Sequence, residues 1–83
     1  MHFQAVLFSK DGRFHVTVLN PDGSVALGTP DFSTRGDAVL YADGLDAMAR
    51  ITSNGHTRCL LKDLPDEVTC REYVAALAPK SAS

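Results

Sequence analysis

Eighty-three residues, 45% of them hydrophobic and 22% charged, make one soluble-type domain with no room for a second core. The formal charge of −2, with eight Lys and Arg scattered along the chain, argues against the clustered basic face of a nucleic-acid binder and against the extreme acidity of a DNA mimic. No run reaches the ~18 apolar residues of a membrane span, and two cysteines make no disulfide framework, so the expected compartment is the cytoplasm, with both thiols reduced.

The opening, MHFQAVLFSKDG, lacks the basic n-region and small-residue cleavage site of a signal peptide. It reads instead as a strand. HFQAVLFS and RFHVTVLN flank Asp11-Gly12, a pair suited to a two-residue type I′ turn, where both central residues need positive φ. That turn pairs Lys10 with Arg13, Leu7 with Val16 and Ala5 with Val18. Phe3, Ala5 and Leu7 then share one face with Phe14, Val16 and Val18, a coincidence that a slip of one residue destroys. The other face carries His2, Gln4, Val6 and Phe8 beside His15, Thr17 and Leu19. It is too apolar to lie open to water, so Val6, Phe8 and Leu19 call for cover.

Asn20-Pro21-Asp22-Gly23 is a second turn, and SVALGT after it a third strand. A four-residue loop puts Val25 and Leu27 on the main core face; a three-residue loop with a bulged Gly23 puts them on the other. The first completes a single core and is the expectation.

Thr34 is placed to cap a helix, with Asp37 three residues on as an acidic capping partner, and Asn54-Gly55 is a left-handed stop. Between them Ala38, Tyr41, Leu45, Met48 and Thr52 fall on one face. Asp43, Asp46 and Arg50 fall opposite, with Asp46 and Arg50 in the favourable ion-pair order. Asp43-Gly44 interrupts this stretch, but Tyr41 and Leu45 keep the apolar phase across it, so the helix runs through. Gly44 lies on the flank of the apolar face near Leu40 and Ile51. There it admits close approach by a strand, a second helix or a symmetry mate, and Gly44→Leu is expected to be harmful.

HTRCLLKD reads as a fourth strand. Thr69 and Glu72 offer a second capping box, spanned by Val68 and Tyr73 as a hydrophobic staple. Cys70, Tyr73, Val74 and Leu77 form the buried stripe, Pro79 ends the helix, and residues 79–83 are a tail. The order β-β-β-α-β-α over residues 1–78 implies a two-layer α+β domain. Its antiparallel meander has one long helix packed across it and a short C-terminal helix at the core edge or on part of the second face.

The strand-hairpin-strand layout followed by a helix opening in FSTRGDA is similar in order to HicB-type antitoxins, over roughly the first 50 residues. In that family a small α+β domain blocks a toxin. This chain has Asn20-Pro21-Asp22-Gly23 where those antitoxins commonly carry a Pro-Gly-Cys-type stretch, and it has no room for their DNA-binding domain. No residue role is carried over.

His56 and Cys59 have the two-residue spacing of a ligand pair, Cys70 lies at the start of the last helix, and a fourth zinc ligand would have to be Asp63, Asp66 or a distant His. Both cysteines, however, occupy apolar stripes where free thiols pack as small hydrophobes. Asp66-Glu67 point apart, and no phosphate-binding glycine loop, G-x-S-x-G or H-E-x-x-H occurs. No metal, cofactor, catalytic residue or small-molecule substrate is therefore assigned, and an enzyme is not expected.

The leading expectation is a small intracellular protein-binding module, self-associating or acting as adaptor or inhibitor of a larger complex. Its candidate interface is the excess apolar surface at Val6, Phe8, Leu19, Val39 and Gly44, Val39 lying within the polar stripe of the helix. Open sheet edges offer a second route. The alternative is a nucleic-acid-binding regulator or antitoxin-like protein. It would use Lys10, Arg13 and His15 of the hairpin with Arg58 and Lys62 of the fourth strand, and needs all five on one face.

Overall fold

Asp11 and Gly12 both take positive φ, 54° and 75°, and close β1 (His2–Lys10) against β2 (Arg13–Leu19). The register is the expected one: Lys10 opposite Arg13, Leu7 opposite Val16, Ala5 opposite Val18. The computed structural model describes residues 2–77; the Pro79 stop and the tail at 79–83 lie outside them.

The second turn takes the form that was not favoured. Gly23 has φ 89°, its N–H donates to the Asn20 carbonyl at 2.9 Å, and the Asn20 N–H donates to the Ser24 carbonyl at 2.8 Å. This is a three-residue loop with a bulged glycine. It sets Val25 of β3 (Val25–Leu27) opposite Leu19, and a second irregularity then returns Leu27 to Val18. Val25 and Leu27 are both exposed, and it is Ala26 between them that packs against the main core. Gly23 is also the closest backbone approach among the glycines: a Cβ there would lie 2.9 Å from the Leu77 carbonyl oxygen.

A strand absent from the sequence reading follows, the two-residue β4 (Asp31–Phe32), pairing Phe14 with Phe32 and His15 with Asp31. Two residues are too few to show an alternating pattern. The Arg13–Asp31 ion pair and the Phe32–Tyr41 ring contact, centroids 5.3 Å apart, hold it in place.

Thr34 caps α1 (Arg35–Thr52), its hydroxyl accepting the Asp37 N–H at 3.1 Å. The helix runs unbroken through Gly44 to the left-handed Asn54 (φ 54°) and Gly55 (φ 84°). An 18-residue helix is long enough to serve as a crossover. It returns the chain to the far side of the sheet, where β5 (Arg58–Asp63) pairs parallel with β1, from His2 opposite Arg58 to Leu7 opposite Asp63. The sheet order is β3-β2-β1-β5, with β4 also on β2. It is mixed, not a pure antiparallel meander.

α2 (Glu67–Leu77) begins earlier than the Thr69 box implied. Asp66 is the cap: its carboxylate accepts the Thr69 N–H at 2.8 Å, and its carbonyl accepts the Cys70 N–H at 3.0 Å. Val68 is exposed and staples nothing. Cys70 is buried, and Tyr73 and Val74 pack against Val6, Phe8 and Leu19.

The two helices cover opposite faces. Ala5, Leu7, Val16 and Val18 lie under α1 with Ala38, Ala42 and Cys59; Val6, Phe8 and Leu19 lie under α2 with Cys70. The α+β class stands, but the two layers expected become a sheet between two helices. Because one strand feeds both clusters, they should unfold together. Leu7→Ala and Leu19→Ala, one in each, should each cost about 2–5 kcal/mol. Each should also give a single transition that coincides by far-UV circular dichroism and tyrosine fluorescence.

Candidate functional site

Val25, Leu60, Leu61 and Val68 are exposed on other elements, but three strongly exposed apolar side chains share one helix, α1. Inward, Ala38 and Ala42 are buried, and their short side chains let the helix sit low on the sheet. Tyr41, Leu45 and Val39 pack around them. Outward, Leu40 is 69% exposed, Met48 64% and Ile51 78%, with Gly44 bare between them and nothing within 4 Å of where its Cβ would be.

Charged groups fix how α1 lies. The Asp46 carboxylate accepts from Arg58 Nε at 2.8 Å and Nη2 at 2.9 Å, and from the Cys59 backbone N–H at 2.9 Å. Arg50 stands 3.5 Å from it. At the other end of the helix Arg35 pairs with Asp63. Both ends are thus tied to β5, so α1 runs antiparallel to that strand. The bonds from Arg58 and the Cys59 N–H hold the Asp46 carboxyl well below the usual carboxylate range.

Tied to β5, α1 leaves the opposite part of the sheet less covered. A groove of about 330 Å³ opens there. Leu45, Met48, Ala49 and Thr52 of α1 form one wall, Val18, Ala26 and Leu27 the other, and Phe3 and Cys59 also line it. Met48 belongs to both the groove and the outward stripe, so the two form one apolar surface. A second groove lies beside α2, lined by Phe8, Thr17, Cys70 and Val74 with Glu67 and Arg71 at its rim.

The candidate interface residues are distributed differently from the expectation. Val6, Phe8 and Leu19 are buried because α2 supplies the cover that their face requires. Val39, on the polar flank of α1, is half-buried against the main core. Gly44 alone of the five is on open surface, and no part of the described chain packs closely against it. Met48 was assigned to the core face and is instead at the surface. Leu40 and Ile51, which the sequence places only as neighbours of Gly44, belong to this surface, and Ala47 beside them is missed. Their signal was present: with Gly44 they make a second apolar series at steps of four, three and four.

The five cationic candidates do not converge. Lys10 pairs with Glu67 at 2.9 Å, Arg13 with Asp31 and Arg58 with Asp46. Lys62 sits 5.3 Å from the centroid of the Tyr73 ring, whose hydroxyl donates to Gln4, and His15 stacks on Phe8 at 5.3 Å. Arg58 lies beside His2 at one end of β1 and Lys10 at the other, about 26 Å apart at ~3.3 Å per strand residue.

Cys59 and Cys70 are free and lie on opposite sides of the sheet, so they cannot share an ion with His56, which follows α1 in the turn. Among the described residues no group of three or more His, Cys, Asp or Glu is placed to hold a metal. Burial pushes both thiols up, further from the reactive thiolate. No helix of the described residues is long and apolar enough to cross a membrane.

No family model matches the chain, and no curated protein or solved structure is significantly similar to it. The likeness to HicB-type antitoxins therefore stays one of element order.

Two substitutions test this geometry. The carboxyl of Asp46 titrates lower in the folded chain than its ordinary 3.8, so the unfolded chain takes up the proton first as pH falls. The stabilisation is complete above that value and is lost as pH falls through the folded one. Asp46→Asn should lower the melting temperature near neutral pH, and the gap to the wild type should narrow below pH about 4. Gly44→Ala meets open space and should stabilise the chain by about 0.5–1 kcal/mol in urea denaturation, and the close neighbour that made Gly44→Leu look harmful is absent from the described chain.

Proposed function

We propose that this chain is a small protein-binding module, an adaptor or inhibitor that docks a protein partner on the outward side of α1 and the groove beside it. The observation that carries the reading is the exposure of Leu40, Met48 and Ile51 on one helix. They border a groove whose walls are apolar. Water contact over such an area is unfavourable, and a partner removes it. The docking residues are thus Leu40, Gly44, Met48 and Ile51, with Leu27 across the groove, in place of Val6, Phe8, Leu19 and Val39.

The module involves no catalytic step and no cofactor. It works in the cytoplasm, a reducing compartment that two separately buried free thiols suit. The arrangement of cations supports a protein partner over nucleic acid. Lys10, Arg13 and Arg58 are each engaged with a carboxylate of the chain itself, so binding phosphates would break ion pairs already made.

Met48 stands where groove and stripe meet, so Met48→Asp should leave the circular dichroism spectrum intact while disabling the surface. Partner proteins retained from a host lysate by the immobilised wild type should be recovered about tenfold less by the variant, the loss expected of one central contact worth ~1.4 kcal/mol. Equal recovery of every retained protein would overturn the reading.

A further inference from the structure

The outward side of α1 is complementary to itself. Leu40, Gly44, Ala47 and Ile51 follow each other at steps of four, three and four, the spacing that keeps apolar residues on one seam between two helices. When a second α1 is laid antiparallel about the midpoint of Gly44 and Ala47, Leu40 meets the partner's Ile51 and Gly44 meets the partner's Ala47. Large residues meet at both ends and small ones in the middle. That centre admits helix axes at about 8 Å, the close end of the usual range.

The flanks agree with the same arrangement. On the side toward β5, Asp43 falls beside the partner's Arg50, and Arg50 beside the partner's Asp43. On the groove side, Tyr41 falls beside the partner's Met48, and the reciprocal pair repeats it. A parallel arrangement of the same seam brings no opposite charges together. Asp43 is exposed and makes no ion pair among the described residues. Arg50 has a half-exposed side chain 3.5 Å from Asp46, and Asp46 keeps Arg58 and the Cys59 N–H when Arg50 turns outward. A lipid surface fits less well, because Asp37 and Asp43 flank the stripe and anionic headgroups repel them.

We propose that α1 is a homodimerisation helix, on which a second copy of this chain docks antiparallel through Leu40, Gly44, Ala47 and Ile51, with reciprocal Asp43–Arg50 pairs at the edge. This rests on the protein-binding reading above and names its partner. A single two-helix seam is at the small end of interfaces, so the dimer should form in the micromolar range.

Sedimentation velocity from about 5 to about 500 µM, bracketing that range, should show the mass rising from one chain to two. Ile51→Asp, at an exposed position and folded by circular dichroism, should remain monomeric throughout. Asp43→Arg and Arg50→Asp should each weaken association about tenfold or more, as expected of like charges brought together. The double reversal should restore it. A strict monomer at the highest concentration, a dimer indifferent to Ile51→Asp, or no recovery in the double reversal would each overturn this dimer. If the monomer still captures another protein through Met48, only the self-docking fails. If that capture fails as well, the protein-binding reading falls with it.

Discussion

Ala5, Val6, Leu7 and Phe8 are all buried, four consecutive residues of one strand. Successive strand residues point to opposite faces, so β1 cannot be satisfied by a single layer. It needs apolar cover above and below, and it needs neighbours on both edges. The hairpin provides β2 on one edge. The other is filled by β5, and only a long crossover can deliver a strand running parallel to β1. The length of α1, the mixed sheet and the presence of α2 beneath it all follow from that strand.

Covering two faces with a chain this short stretches its apolar material. α2 brings Cys70, Tyr73 and Val74 to the lower face. α1 brings Ala38 and Ala42, with Tyr41, Leu45 and Val39 around them. Polar contacts decide where α1 rests. Asp46 holds Arg58 and the Cys59 N–H, Arg35 holds Asp63, and the helix is drawn along β5. A helix tied there cannot also close over Ala26 and Leu27, and the groove beside Met48 is the consequence. The proposed docking surface is thus the remainder of a packing problem, and it lies on the most regular element of the fold. A rigid helix loses little conformational entropy on binding, which favours it as a contact surface.

Much of the fold was legible because its signals are local. Asp11-Gly12 sets the hairpin register through its own φ preferences, and Thr34 with Asn54-Gly55 marks both ends of α1. The signals that failed were those with two local solutions of similar merit. Asp66 and Thr69 can each cap a helix, and Asp66 does so because its carboxylate reaches the Thr69 N–H. The second turn tolerates two loop lengths, and the one adopted seats Gly23 against the Leu77 carbonyl. No reading of residues 20–27 alone contains that contact. The candidate site fared worse for the same cause. Met48 shares a helical face with Tyr41 and Leu45, yet exposure depends on which part of the sheet lies beneath that face.

The sequence by itself determined the α+β class, the hairpin and its register, the capped helix that continues through Gly44, and a second sheet face that needed cover. Each rests on backbone preferences or periodicity within a few turns of chain. Only the tertiary structure decided that α2 provides the cover, that β5 runs parallel beside β1, and that Lys10, Arg13 and Arg58 are engaged within the chain. It alone decided which apolar residues remain outside. Exposure belongs to the relative placement of elements, and here that placement depends on contacts such as Asp46 to Arg58 and Gly23 to Leu77, between residues that local pattern cannot bring together.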